Sequence, residues 1–388
     1  MTGKGMNMER VKKQNRSLIL GYINDNGPVS RKDIAAAAGL TPASVTQITT
    51  QLIDAGLLKE LGVVQDGKRS VGRKKVLIDI DPGHSFVLTA NIESRETVLA
   101  VCDIKGQPVR SQEDGAPLVK TLPTDRSASP QDFLQRIFSQ LKGLSGLMSE
   151  DEKSRLACVS VGITGIVDTE QGISVHAYGV WNRPVDIRSA ASEAFGLPVF
   201  VENNVDALAQ AEILFGLGRK TDNLLLIKWG PGVGSAIILD GTIYKGRRGK
   251  AAELGHYIVN KDGSLCSCGR RGCLETEVSY YTLSKRLDFE PDAFGSAYEA
   301  ANEDTKAYID SAIDLFARCV VNSSTIIAPN HIVLAGRLFG SGVIRSRLID
   351  ACRRYDSSCD AEYILHSPLA ARDGFVGPAA VYVQKLLG

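Results

Sequence analysis

The sequence predicts an α/β protein headed by a winged helix-turn-helix and carrying a metal-tied loop in its second half. Three observations lead there. Two capped helices joined by the tight turn "AGLTP" precede a Gly-rich basic hairpin within the first 75 residues. The stretch "VENNVDALAQAEILFG", Val201 to Gly216, turns a short apolar run (Leu197, Val199, Val201) into a helical pattern through Glu202, Asn203 and Asn204. Polar groups gathered at such a strand end are where α/β proteins place their sites. Finally, His256, Cys266, Cys268 and Cys273 fall within eighteen residues.

At 388 residues, 44% hydrophobic and 23% charged, the chain is long enough for two or three globular units with a full core, and it shows no disordered bias. The N-terminal "MTGKGMNMERVKKQN" has no apolar stretch behind its charges, and no later run approaches a membrane span, so a cytoplasmic setting is expected. The net charge of +1 hides a segregation. Residues 1 to 75 hold thirteen Lys and Arg against six Asp and Glu, a net of +7 that leaves −6 for the remainder. A basic end of that kind suits a polyanion. No internal repeat or low-complexity tract is visible.

Val11, Leu18, Ile19, Tyr22 and Ile23 recur at helical spacing until "NDNGPVS" breaks the run. Ser30 then caps "RKDIAAAAG", with Asp33 completing a capping box and Gly39 ending the helix. Thr41 caps and Pro42 opens a third helix, whose Val45, Ile48, Leu52 and Ile53 form one apolar stripe. Its other face carries Ser44, Gln47, Thr50 and Gln51, small hydrogen-bonding groups suited to base edges and phosphates. "LGVVQDGKRSVGRKKVLIDI" reads as two strands around a basic tip, the wing, with Lys68, Arg69, Arg73, Lys74 and Lys75 concentrated there. Arg73 is expected in a minor groove while its neighbours neutralise phosphates. The competing reading is a three-helix protein-interaction module with a solvated basic loop.

Three thiolates and an imidazole make a closed tetrahedral set of the structural zinc kind, with glycines at 269 and 272 letting the chain turn tightly. Closed sites hold loops and do not activate water. The alternative, a disulfide, sits poorly with three clustered cysteines while the other five are scattered through apolar surroundings.

With the helix-turn-helix, "ENN", "ELGH" and "CSCGRRGCLE" together, the chain resembles the ROK family of repressors and sugar kinases along essentially its full length. The resemblance implies two actin-like (ribonuclease H-like) α/β lobes with a sugar in the cleft, the zinc loop supporting the sugar side, and homodimers or homotetramers built from the ROK part. It sets residues 1–76 as the winged helix-turn-helix and 77–388 as the sugar-binding part. Within the latter, one lobe spans about 77–200 plus a C-terminal helix at 374–388, and the other about 201–373. It further implies that Asn203, Asn204, Glu253, His256 and Glu275 point toward sugar hydroxyls. Carboxylates accept and amides both donate and accept, which matches a polyol's mixed demand. Alternatively, Glu253 and Glu275 only brace the zinc loop.

Kinase members need an Asp base after the "EN" pair, and this chain has Asn204, an amide that cannot accept the proton. Asp206 is expected to point elsewhere. A Gly-rich phosphate turn should open the fold, and the corresponding stretch offers Asn91 and Glu93-Ser94-Arg95, with a glutamate where phosphate should sit. Of the later glycine loops, "GPGVGSAI" survives in part, Gly232 and Gly234 being left as tight-turn residues, and "VLAGRLFG" carries Arg337. Tyr178 replaces a frequent Asn three residues before Trp181, to stack on a sugar ring or fill the core. The expectation is a non-enzymatic DNA-binding regulator, a repressor of carbohydrate-utilisation genes that a sugar releases. The alternatives are an ATP-dependent sugar kinase with a regulatory DNA-binding domain, and a protein-interaction partner.

Overall fold

The computed structural model describes residues 8–63, 75–249 and 251–388. Its first unit opens with α1 (Met8–Asn26), whose Ile19, Leu20 and Ile23 are fully buried. Leu18, expected on that stripe, is 48% exposed and Leu20 takes the inward place. At about 100° per residue, 19, 23 and 20 share one arc of the helix and 18 falls outside it. β1 (Val29–Ser30) leads into α2 (Arg31–Ala38), where Ser30 Oγ accepts from Asp33 N at 3.3 Å and the Asp33 carboxylate accepts from Ser30 N at 3.3 Å. Gly39 closes this helix at φ +63°. α3 (Pro42–Asp54) is capped by Thr41 and buries Val45 and Leu52. β2 (Leu58–Val63) and β3 (Val76–Ile80) complete an antiparallel sheet in the order β1-β3-β2. The boundary expected at 76 therefore falls at the start of a strand that pairs within the winged helix.

The first lobe is built on β4 (Phe86–Ile92), β5 (Glu96–Asp103), β6 (Val119–Pro123), β7 (Leu156–Ile163) and, after the small sheet β8 (Ile166–Asp168), β9 (Ile173–His176) and β10 (Val185–Asp186), on β11 (Val199–Asn203). The order is β11-β7-β4-β5-β6. α4 (Pro130–Gly146) and α6 (Ile187–Phe195), separated by the short α5 (Glu150–Ser154), cover one face, with Phe133, Ile137 and Leu141 packed in the core with Leu88 and Val159. The second lobe repeats the plan with β12 (Leu224–Trp229), β13 (Val233–Leu239), β14 (Thr242–Ile243), β15 (His331–Ala335) and β16 (Ile364–His366), ordered β14-β13-β12-β15-β16. In each sheet the first strand is central, the next two run antiparallel on one side, and the last two run parallel on the other. These are the two actin-like lobes. Around Trp229 pack α8 (Leu274–Val278), α9 (Tyr280–Leu283), α10 (Phe294–Ala300), α11 (Glu303–Ile327) and α12 (Gly342–Tyr355), with Phe294 and Phe316 edge-on to the indole at 5.7 and 5.1 Å.

Two helices join the lobes. α7 (Asn204–Phe215) follows β11, and α13 (Val376–Leu387) returns the chain to the first sheet. They cross at Gly377, where a Cβ would stand 2.9 Å from the backbone of Ala207 and Leu208, so only glycine permits the approach. The first lobe's last strand runs to Asn203, past the boundary expected near 200, and α7 springs from the sheet edge into the interface. Leu208, Ala211, Val376 and Val383 belong to one apolar cluster with Leu226 and Val333 of the second sheet and with Ile19, Leu20 and Ile23 of α1. The winged helix is thus seated on the inter-lobe helices, and Asn24 Nδ2 donates to Leu214 O at 2.7 Å at the far end of α7. No helix among the described residues is long and apolar enough to cross a membrane.

Candidate functional site

Between the lobes lies a cavity of about 370 Å³, large enough for a small ligand. All five residues expected to face a sugar line it: Asn203, Asn204, Glu253, His256 and Glu275. They arrive from separate elements, β11 with α7, the turn after Ala252, and α8.

Asn203 lies in this cavity wall, but its amide is engaged by the backbone. Oδ1 accepts from Val205 N at 2.8 Å and Asp206 N at 3.1 Å as the cap of α7, and Nδ2 donates to Gly165 O at 2.7 Å. Asn204 is 7% exposed and its side chain hydrogen-bonds the Glu93 carboxylate. Glu275 accepts from Val233 N at 3.0 Å, and burial, reinforced by the nearby Glu253, holds its carboxyl above the usual range. A Cβ on Gly232 would collide with that carboxylate, and one on Gly234 would meet Val205 at 2.5 Å. Neither has a positive φ; Gly232 lies in the short turn between β12 and β13, as expected, while Gly234 lies within β13, and both serve close approach. Tyr178 also lines the cavity, its ring edge-on to His256 at 5.2 Å, and burial beside Glu253 pushes its phenol up to about 12.

The ligand atoms of His256, Cys266, Cys268 and Cys273 all lie within 4.8 Å of one another. Cys268 and Cys273 sulfurs stand 3.6 Å apart, far beyond the roughly 2.05 Å of a disulfide. A tetrahedral ion with Cys ligands at about 2.3 Å would separate neighbouring sulfurs by about 3.8 Å, so the set could hold a metal. His256 turns Nδ1 to Cys266 Sγ at 3.5 Å and Nε2 toward Glu253 at 3.6 Å. Burial, helped by Arg270, pushes its pKa down to about 4, keeping the neutral imidazole that ligation requires. Gly269 and Gly272 both take positive φ, +85° and +67°.

Sequence reasoning missed Lys228. It is 8% exposed on the central β12, and its ammonium pairs with Glu93 across the lobes. Burial pushes Glu93 up and Lys228 down, but the mutual charge outweighs it, so the carboxylate stays below its usual range and the ammonium above. The overlooked signal is the lysine inside the apolar run "LLLIKW". Arg337 likewise bridges the lobes, donating to both Glu96 oxygens at 2.8 and 2.9 Å and to Asp292. Asp206 does not line the cavity. It stands 3.7 Å from Lys245, which holds Glu202 at 2.6 Å, and burial with Glu202 beside it pushes its carboxyl up to about 6.

On α3, Gln47, Thr50 and Gln51 are exposed, whereas Ser44 is half-buried with Oγ 2.9 Å from Thr41 Oγ1. Arg69, Arg73 and Lys74 lie outside the described residues, and Lys75 at their border is exposed.

A MarR family profile matches residues 13–69, and a ROK family profile matches residues 119–382. The chain is 29% identical over 274 residues to the DNA-binding transcriptional repressor Mlc of Escherichia coli K12, covering 70% of this chain and 64% of that protein. It thus spans just under two thirds of that relative's length. The crystal structure of a ROK family transcriptional regulator, a homologue of E. coli Mlc, superposes with a TM-score of 0.77 at 23% identity over 97% of both chains. A ROK family glucokinase from Streptomyces griseus, in complex with glucose and AMPPNP, gives 0.60 at 22% identity over 78% of this chain and 100% of its own. The profile spans more than half of the chain, and with the paired lobes it leads to one conclusion: the chain belongs to the ROK family.

Proposed function

We propose that this chain is a sugar-responsive DNA-binding transcriptional regulator, a repressor of carbohydrate-utilisation genes, that performs no phosphoryl transfer. The observation that carries the reading is the pairing, in one chain, of a winged helix with a cavity whose base position is an amide. Asn204 cannot take a hydroxyl proton, and its side chain is held by Glu93. The repressor identity of the Mlc relative supports the regulatory half.

Gln47, Thr50 and Gln51 read base edges from the exposed face of α3, Ser44 sits at the helix start, and Arg69, Arg73 and Lys74 meet phosphate and minor groove. The sugar lies against Glu253, His256, Glu275 and Asn204. His256, Cys266, Cys268 and Cys273 bind zinc, which ties the loop between the two glutamates and takes no part in chemistry. The chain works in the cytoplasm as a homodimer or homotetramer on a DNA operator, and the sugar releases it.

The rival reading is an ATP-dependent sugar kinase, to which the fold of the glucokinase lends support. It needs a base, and the raised carboxyl of Asp206 is tied to Lys245 outside the cavity lining. A coupled assay of ATP consumption across a sugar panel, run beside an operator selection with wild type and Gln47→Ala, separates the two. Turnover above a no-enzyme control, or no enriched DNA sequence, would overturn the proposal.

A further inference from the structure

We infer that the Glu93 carboxylate acts as a built-in anion at the Lys228 end of the cavity, so that the pocket selects an uncharged sugar and rejects its phosphate monoester. This rests on the reading of the cavity as a sugar site and names the charge class of its ligand.

Three donors converge on Glu93. Lys228 pairs with it from the second lobe, Asn91 Nδ2 donates at 3.1 Å, and Asn204 hydrogen-bonds it from the start of α7. An ammonium and two amide N–H groups are what a phosphate oxygen would seek, and here a carboxylate has already taken them. Behind Glu93 and Lys228, in a smaller pocket outside the cavity, the cations are spoken for in the same way. Arg337 is shared by Glu96 and Asp292, and Arg95 is paired with Glu290. Asp373 stands close enough to feel both Lys228 and Glu93. Glu290 and Asp292 in this group are 69% and 70% exposed, so the charge that burial strengthens is that of Glu93 and Lys228. Arg126 and Lys285 at the cavity wall are exposed and screened by salt, so they offer a phosphate little.

A phosphate monoester carries up to two negative charges at neutral pH and would have to displace Glu93 from all three donors. A hydroxyl at the same place needs only one donor or acceptor, and it can donate a hydrogen bond to the carboxylate. Glu93 is thereby a specificity-determining residue whose effect runs through Lys228.

The test uses calorimetric titration of the full chain with inorganic phosphate, with free sugars, and with the phosphate monoesters of any sugar that binds. Wild type should bind a free sugar at least about tenfold more tightly than its monoester, the discrimination expected of one like-charge contact. Glu93→Ala should gain at least about tenfold in affinity for inorganic phosphate, and Lys228→Met added to it should abolish the gain. If Glu93→Ala does not fold, Glu93→Gln keeps the shape without the charge, and the wild-type comparison needs no variant. A folded Glu93 variant with no gain, a gain that survives Lys228→Met, or a monoester bound as tightly as its parent sugar overturns the inference. Absence of any sugar binding would instead sink the sugar-site reading, while the phosphate titrations still decide the role of Glu93.

Discussion

Replacing Asn203 by alanine separates a helix cap from a ligand contact. Two N–H groups at the start of α7 lose their acceptor, and Gly165 O loses the 2.7 Å donor that pins the turn after β7. An N-cap Asn→Ala change costs about 1 kcal/mol, and a partly buried hydrogen bond adds about 1 kcal/mol. For a unit of 150–250 residues each kcal/mol moves Tm by about 2–4 °C, so Asn203→Ala should lower Tm by about 4–8 °C. Asn203→Asp keeps the acceptor and places a negative charge at a helix N-terminus, so it should recover about half of that loss while still facing Gly165 O without a donor. Differential scanning calorimetry reads the stability, and titration with the bound sugar reads the site. Affinity should fall only as far as the wall at Gly165 loosens. If Asn203→Ala abolishes sugar binding and leaves Tm unchanged, the amide belongs to the ligand and the capping argument is wrong.

Zinc should copurify at one ion per chain, and Cys268→Ala should lose it and weaken sugar binding by disordering the loop before Glu275; elemental analysis finding no metal in fresh protein rejects the site. Asp206 is, with Asp373, one of two carboxyls pushed up to about 6 by burial. Its folded pKa of about 6 exceeds the ordinary 3.8, so the folded state binds the proton first and stability falls as pH rises through that window, by on the order of 2–3 kcal/mol. Asp206→Asn should make Tm fall less steeply between pH 4 and about 6, Asp373 supplying the rest, and raise it at pH 7; an unchanged slope would show that Asp206 does not titrate there. Asn24 and Arg219 clamp α1 to the end of α7, the latter 3.8 Å from Asp25. Substituting both by alanine should leave sugar and operator affinities each within about threefold but shrink the coupling between them from a typical 1–3 kcal/mol toward zero. Operator titrations with and without sugar measure it, and undiminished coupling would place the link elsewhere.

What the sequence by itself determined is local. The capping box of Ser30 and Asp33, the Thr41 cap, the Gly39 stop and the four metal-ligand residues are each set by partners within a few residues or one short loop, so spacing alone expresses them. The strand-to-helix switch at Asn203 was legible for the same reason, whereas Glu253, His256 and Glu275 of the cavity wall were expected only through the family resemblance. Which atoms of those residues remain for a ligand was decided only by tertiary structure. Asn203 commits its amide because β8 brings Gly165 O beside it, and Gly232 leaves room for the Glu275 carboxylate, which arrives from 43 positions later. The pairing of Glu93 with Lys228 joins residues 135 apart, and that of Glu96 with Arg337 residues 241 apart. Two sheets of identical strand order, built from unlike sequences, create those encounters when they face each other across α7 and α13. A charge read in the sequence declares its sign; whether it is a repellent, a ligand contact or half of a buried pair depends on what the opposing lobe places against it.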